Sequence, residues 1–170
     1  YSAPQCTKIV FVHWGAEYQD QPNLYQENFN QFFKRHGVDI IIGSHPHVVQ
    51  PMHYTKNNDK EFLTVYSLGN FVSNQRDFRK DGGVMFRCSI VKRDKASISD
   101  REYILTWVNK FYKNEKWHYE VLPCSNKTYG KEYFSRNEDY AKMQVYSDHA
   151  KNLFADYNIK RYKRKLNQII

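Results

Sequence analysis

Apolar residues form two short runs near the start of the chain, with an amphipathic segment between them. Residues 9–12 are continuously apolar and mostly β-branched, and residues 38–42 repeat this pattern around one aspartate. Such runs are typical of strands that are buried on both faces of a parallel sheet. The segment between them has Pro22 near its start and Gly37 at its end, which predicts a helix. Its predicted buried stripe comprises Tyr25, Phe29, Phe32, Phe33 and His36. Strand, helix and strand together predict a parallel βαβ unit.

The pattern changes after Pro51. Residues 61–71 and 82–91 each predict a further strand, and a polar loop separates them. Apolar and polar residues then alternate on both sides of the KNEK sequence, which predicts an antiparallel hairpin over 102–123. Residues 136–165 predict a helix, with one face formed by Tyr140, Met143, Tyr146, His149 or Ala150, and Leu153. The fold class is therefore α/β, a mixed sheet with a parallel βαβ start and antiparallel later strands, followed by a helical C-terminal tail.

Composition excludes a disordered chain and suggests an anionic partner. The 170 residues suit one domain, and an aromatic content of 16% supplies enough bulk for a core. The net charge of +8 suits nucleic acid, phosphate esters or anionic polymers, although much of the excess lies in residues 159–170. Cys6, Cys88 and Cys124 have no disulfide or zinc spacing, so we expect small buried side chains. The sequence has no apolar run of about 20 residues that would span a membrane.

Three histidines follow the two predicted parallel strands. His13 ends the first strand, and His45 and His47 lie in the turn after the second. Because the carboxyl ends of parallel strands face one crevice, these imidazoles should converge. Gly43 should allow a sharp turn there, and Pro46 should keep His45 extended. Imidazole is a common ligand for transition metals, so the pattern favours a metal site over a phosphate site.

The sequences HWGAEY (13–18), GSHPHVVQP (43–51) and VYSLGNF (65–71) resemble CapA-type proteins of capsule and poly-γ-glutamate biosynthesis. These proteins belong to the calcineurin-like metallophosphoesterase superfamily. The sequences ILTWVNK and YEVLP also resemble later strands of the family, although Leu105 replaces a usual proline. The resemblance covers residues 8–123. It divides the chain into the C-terminal half of a CapA-like domain, 1–125, and a helical extension, 126–170.

The resemblance implies that His13, His45 and His47 are ligands of a dinuclear centre of divalent ions, Mn, Zn or Fe. Glu17 would then lie beside the metals or act as an acid or base, although a solvated carboxylate near a helix start explains it equally well. Asn70 is a further candidate, which the resemblance implies could orient a loop at the rim of the site, although asparagine in a tight turn explains it equally well. The remaining candidates for binding an anionic substrate are Gln50, Gln75 and Arg76, with ordinary polar loop residues as the alternative.

The family's other metal ligands have no counterpart in this sequence. They comprise an early Gly-Asp motif and an Asn-His motif, and they lie upstream of the position that His13 occupies. Neither Asp20 nor Asp39 lies in such a motif. The chain begins with Tyr1 instead of methionine, so we expect a processed product or a fragment, the C-terminal half of the enzyme. Half a sheet should expose a strand edge and an apolar face, to be covered by the missing N-terminal half or by a second copy.

Three functions remain open. The first is a metal-dependent, phosphoesterase-like hydrolase that acts on an anionic polymer or phosphoester, active only if the missing half is supplied. The second is a non-catalytic component of a surface-polymer system. The third, a nucleic-acid-binding module, is disfavoured because the basic and aromatic residues 157–165 carry no module signature. The resemblance implies an extracytoplasmic, cell-envelope location, either secreted or membrane-anchored.

Overall fold

The structure is a computed structural model that describes residues 6–57, 60–92, 96–125, 129–155 and 159–161. Its strands form two four-stranded sheets. The first sheet has the order β1-β2-β4-β3, formed by Ile9–His13 (β1), Ile40–Ser44 (β2), Val49–Asn57 (β3) and Lys60–Leu68 (β4). The second contains Gly82–Lys92 (β5), Ala96–Lys113 (β6), Lys116–Pro123 (β7) and the short Lys160–Arg161 (β8). The helices are Leu24–Arg35 (α1) and Asn137–Leu153 (α2), with a 3₁₀ turn at Lys131–Tyr133.

The predicted parallel unit is confirmed. β1 pairs in parallel with β2, placing Ile9 opposite Ile40, and β2 pairs in parallel with β4. β3 is antiparallel to β4, and the sequence did not indicate it because Pro51 interrupts its start. A proline is tolerated there since β3 lies at the edge of the sheet. The predicted β6–β7 hairpin is also present. The mixed α/β fold class is therefore confirmed.

One apolar core joins the two sheets and α2. The first sheet contributes buried side chains such as Leu63 and Val65, and the second contributes Leu105 and Trp107. Tyr146 of α2 is fully buried in the same cluster, together with Met143, Ala150 and Phe154. The division of the chain at residue 125 stays a prediction, and α2 shares the core of the preceding residues.

The predicted C-terminal helix is too long by about three turns. α2 ends at Leu153, and residues 160–161 pair as a strand beside β6. The sequence pattern failed here because Tyr157 continues the helical stripe four residues after Leu153, and no glycine or proline follows to mark an end. Residues 157–158 and 162–170, which supplied most of the basic tail, lie outside the described residues. Among the described residues, no helix is both long and apolar enough to cross a membrane.

The orientation of α1 is opposite to the prediction. Its buried residues are the polar Gln26 and Asn30, whereas Tyr25, Phe29 and Phe32 are exposed. The two amides find partners inside: Asn30 Nδ2 donates to the Tyr66 hydroxyl at 2.8 Å and its Oδ1 accepts from Thr64. Of the predicted stripe, Phe33 packs against a smaller buried cluster beneath α1, formed by Trp14, Ile41, Phe62 and Tyr66. The helix begins one residue after Asn23, whose side chain forms a capping box with Gln26.

β1 is an edge strand with exposed apolar side chains. Phe11 is 79% exposed and Ile9 is 44% exposed. Among the described residues, β2 is its only strand partner. The exposed edge and apolar face expected from the sequence are therefore present. The prediction for the cysteines is wrong at Cys6, which is exposed, and fits Cys124, whose burial raises the pKa of its thiol to about 12.

Candidate metal site

The structure brings the three predicted histidines together at one end of the first sheet. His13 is the last residue of β1 and lies opposite Ser44, the last residue of β2. The ring centroids of His13 and His45 are 4.4 Å apart, and those of His45 and His47 are 6.1 Å apart. His13 is exposed and the other two are half-buried, so all three imidazoles border solvent. The convergence follows from the parallel pairing of β1 with β2.

The turn that carries His45 and His47 has an unusual backbone. Their φ angles are +103° and +59°, a region that favours glycine. The expectation that Pro46 keeps His45 in the ordinary extended region is therefore wrong. Such angles cost about 1 kcal/mol or more each and persist where surrounding contacts hold them. One such contact is the Tyr18 N–H, which donates to the Pro46 carbonyl at 2.8 Å and joins the two histidine-bearing loops.

Gly43 serves packing and lies within β2, not in the turn as expected. A Cβ at this position would lie 2.1 Å from the Tyr66 carbonyl oxygen and 2.4 Å from Trp14 Nε1. The missing side chain lets the buried Trp14 indole cross β2 and donate to the Tyr66 carbonyl at 2.8 Å. Trp14 adjoins His13 in the chain, so this contact fixes the end of β1 against β4.

His47 is oriented by Asn70. The Asn70 amide nitrogen donates to Gln75 Oε1 at 2.9 Å and to the Lys80 carbonyl at 2.8 Å. Its oxygen therefore faces His47 Nδ1, 3.0 Å away, and Nδ1 must be the donor. In this tautomer, Nε2 carries no proton and has a free electron pair. Histidines that bind metals commonly use this arrangement, in which one ring nitrogen faces the metal and the other donates a hydrogen bond to a neighbouring group. Asn70 thus has a definite task, which the sequence only suggested.

Glu17 lies beside the free nitrogen of His47. Its Oε1 is 3.7 Å from His47 Nε2, and about half of its side chain is exposed. The ring of Tyr18 lies 5.9 Å from the imidazole of His47. A carboxylate and an imidazole nitrogen therefore face the same solvent-accessible space, where they can share a cation or a proton.

Gln50 is buried and holds the loop that follows the HWGAEY sequence. Its side chain is 0% exposed. Its Nε2 donates to the carbonyls of Gln19 and Gln21, at 2.9 and 3.2 Å, and its Oε1 accepts from Gln26 at 2.8 Å. All its hydrogen-bonding capacity faces the protein, which leaves no surface for a substrate.

Gln75 and Arg76, neighbours in sequence, point to different places. Gln75 bonds to Asn70 and, through Nε2, to the Tyr18 hydroxyl at 3.3 Å, so it lies at the rim of the histidine cluster. Arg76 instead lies over the Trp107 ring at 5.1 Å, and its Nη2 is 4.0 Å from Asp81. Burial lowers the pKa of Arg76 and raises the pKa of Asp81.

Sequence reasoning missed the part that Asp20 has in the site. Its carboxylate bonds to Arg79 and lies 3.3 Å from Nε2 of His149 in α2. Asp20 thereby connects the loop that follows the HWGAEY sequence with the β4–β5 loop and with α2. No short-range signal connects these three positions, since more than 50 residues separate each from the next.

The side chains gathered here could supply part of a metal centre. His13 with His45 form one close pair, and His47 with Glu17 form another. Within the described ranges, no three histidine, cysteine, aspartate or glutamate side chains are grouped so that they could hold one ion. Protein sites for zinc use three or four protein ligands. The imidazole nitrogens therefore suit a transition metal, and further ligands are needed to complete either position.

The three imidazoles lie at the carboxyl ends of neighbouring parallel strands, which is where α/β proteins usually bind their ligands. Residues 5–75 match the family described as bacterial capsule synthesis protein PGA_cap. Two curated relatives are the "PGA biosynthesis protein CapA" of Bacillus subtilis (strain 168), 40% identical over 67 residues, and the "Capsule biosynthesis protein CapA" of Bacillus anthracis, 42% identical over 67 residues. Each alignment covers 39% of this chain, but only 17% and 15% of the respective relatives. No solved structure matches. Over residues 5–75 the chain is thus similar to CapA-type proteins, and it aligns with less than a fifth of the length of these two relatives.

Proposed function

We propose that this chain forms part of a metal-binding, hydrolase-type domain that acts in the biosynthesis or processing of an anionic capsule or poly-γ-glutamate polymer. The observation that carries the proposal is the convergence of three imidazoles, with Nε2 of His47 left available by its bond to Asn70. The family match supports the capsule context, and the net charge of +8 suits an anionic polymer. The same context supports a cell-envelope location.

His13, His45 and His47 would hold divalent ions in this proposal, with Glu17 next to His47. A bound Mn, Zn or Fe ion would supply Lewis-acid chemistry at the edge of the sheet. The chain's own residues fix the imidazoles: Asn70 sets one tautomer, and Trp14 anchors the strand end next to His13. The remaining ligands would come from polypeptide beyond this chain.

The exposed edge of β1 is the proposed place for that polypeptide. Glu27, Gln31 and Lys34 of α1 line a cavity with residues of β3 and β4. Tyr25, Phe29 and Phe32 therefore lie on the opposite flank of the helix, on the β1 side of the sheet. An unpaired strand edge between apolar surfaces favours strand addition. A polypeptide like the N-terminal half of CapA-type proteins, or a second copy of the chain, would cover it.

Metal titration tests the proposal. Calorimetry with Mn²⁺ or Zn²⁺ should show saturable binding that His13→Ala, His45→Ala and His47→Ala each weaken. His36→Ala and His118→Ala are the matched controls, because both are exposed histidines outside the cluster. Asn70→Ala should weaken binding by about 10- to 100-fold, as for other partners of metal-binding histidines. Unchanged binding after all three cluster replacements would overturn the metal assignment.

A non-catalytic assembly component is the second candidate. It is favoured by the incomplete ligand grouping within the described residues and by the large exposed surface around β1. Hydrolysis of a phosphodiester substrate by this chain with its covering partner and added metal would rule it out. Metal binding without hydrolysis in that complex would favour it.

A further inference from the structure

The end of the β6–β7 hairpin presents exposed aromatic rings. Tyr112, Trp117 and Tyr119 are 60%, 58% and 41% exposed. Lys110 pairs with Tyr119 across the two strands, and Tyr112 pairs with Trp117. Because side chains alternate between the faces of a sheet, these four residues share one face, called here the aromatic face. The opposite face of the same segment carries Phe111 and His118, with Lys113 and Lys116.

Contacts hold the rings of the aromatic face in place. The Lys110 ammonium lies 4.4 Å from the centre of the Trp117 ring and 5.5 Å from that of Tyr119. Tyr112 and Trp117 meet edge to face at 5.2 Å. The Lys110 ammonium and the Tyr119 hydroxyl both donate to Asn74 Oδ1, at 2.8 and 2.9 Å. A prearranged face loses less side-chain entropy when it binds a ligand.

A short series of contacts links the aromatic face with the histidine cluster. Asn74, which holds Lys110 and Tyr119, precedes Gln75 in the chain. Gln75 bonds to Asn70, and Asn70 bonds to His47. The aromatic face and the histidine cluster are therefore connected through residues 70–75.

We propose that the aromatic face binds a sugar polymer that carries acidic groups, a choice of polymer that rests on the function proposed above. Aromatic rings are negative on their faces and positive at their edges, so they attract the C–H-rich faces of pyranose rings. The Lys110 ammonium supplies a positive charge at the same place, and Asn74 and the tyrosine hydroxyls supply hydrogen-bonding groups for sugar hydroxyls. Lys110 is the cation on this face, since Lys113 and Lys116 lie on the opposite face.

A polyglutamyl chain fits this face less well. It offers carboxylates and flexible methylene groups, but no rigid apolar surface that covers an indole ring. Charge alone would then determine its binding, and contacts between exposed charges are weak and screened by salt. The rings therefore discriminate between the two kinds of anionic polymer.

Tryptophan fluorescence gives a direct assay on the full chain. The protein has three tryptophans, and Trp14 and Trp107 are buried, so quenching by acrylamide reports mainly on Trp117. The probe is a hyaluronan octasaccharide at about 0.15 M salt, with EDTA present, and poly-γ-glutamate of equal charge is the comparison. EDTA makes the result independent of metal binding, so failure of the metal proposal and failure of this one are distinguishable.

We expect the octasaccharide to bind saturably and to protect Trp117 from quenching. We expect Tyr112→Ala to weaken binding by about tenfold. Trp117→Ala should have the same effect, measured by calorimetry because this variant lacks the reporter ring. His118→Ala, on the opposite face, should change binding by less than about twofold. Lys110→Gln should weaken binding more than Lys116→Gln. Thermal melting checks that each variant is folded. Absence of octasaccharide binding, equal loss in His118→Ala, or equally tight poly-γ-glutamate binding that is insensitive to Trp117→Ala would each overturn the proposal.

Discussion

Replacing Gly43 with alanine should damage the fold and the histidine cluster together. The added methyl group would lie 2.1 Å from the Tyr66 carbonyl oxygen, well inside the contact distance of a carbon and an oxygen. Both obstacles are held firmly, since one is the backbone of β4 and the other is the buried indole of Trp14. Both contacts are too short, so β2 must move away from β4 by about 1 Å and the indole must also leave its site.

The cost follows from the contacts that are lost. Forcing one extra carbon into a packed interior costs about 1–3 kcal/mol. Losing the hydrogen bond from Trp14 Nε1 leaves a buried donor without a partner, which costs another 1–3 kcal/mol or so. We therefore expect Gly43→Ala to lower the free energy of unfolding by about 2–5 kcal/mol, or to lower Tm by roughly 5–15 °C for a chain of this length.

Urea unfolding followed by far-UV circular dichroism measures this loss. Gly37→Ala is the matched control, because Gly37 has a φ of +75° and an added Cβ would meet only the flexible end of Lys8, at an ordinary contact distance of 3.7 Å. It should cost only about 1 kcal/mol, the conformational penalty of the left-handed region. A Gly43→Ala variant within about 0.5 kcal/mol of the wild type would refute the steric argument.

Three further substitutions test other contacts. Gln50→Leu should destabilise the protein by about 1–3 kcal/mol in urea unfolding, because it removes the partner of the buried Gln26 amide and of two loop carbonyls; a loss below about 0.5 kcal/mol would contradict the network. Tyr146→Phe removes a buried hydroxyl that donates to the Gly83 carbonyl at 2.8 Å and should cost about 1 kcal/mol, with an unchanged or higher stability as the contrary result. Burial raises the pKa of Asp81, so the folded state keeps this proton to higher pH than the unfolded state. The wild type should therefore lose stability as pH rises from about 4 toward the folded pKa, whereas Asp81→Asn should not, and parallel pH profiles would count against this assignment.

The spacing of apolar residues was enough to predict the strands whose buried faces follow the regular sheet pattern. The parallel pair β1 and β2 and the β6–β7 hairpin were predictable because their apolar residues follow the sheet spacing. The convergence of the histidines followed from the same prediction, since parallel strands end on one side. Sequence alone thus located the three imidazoles.

The side of α1 that is buried was not predictable, because a buried amide network outweighs the aromatic stripe. Gln26 and Asn30 are satisfied by partners 24 to 36 residues away, and no local pattern shows these partners. The stripe of Tyr25, Phe29 and Phe32 is real, but it faces outward. A period of 3.6 residues shows that a helix is amphipathic and does not show which neighbour each face meets.

The details of the site depend on contacts that are distant in sequence. The bond between Asn70 and His47 spans 23 residues, and the contact between Asp20 and His149 spans 129. Motif recognition assigned His47 and Asn70 to a site without giving the bond between them, and it assigned neither Asp20 nor His149. The positive φ angles of the two turn histidines were equally hidden, because they are imposed by the surrounding loops.

The segment that matches the family is shorter than the part of the chain that must fold together, because one core joins the two sheets. Residues 5–75 carry the family match, yet Leu63 and Val65 within them are covered by side chains from beyond residue 83. A peptide cut at residue 75 would present that covered surface to water and would not hold the two histidine loops in register. Grafting the histidine motifs into another protein would therefore require transferring the second sheet and α2 with them, although neither carries any of the three clustered histidines.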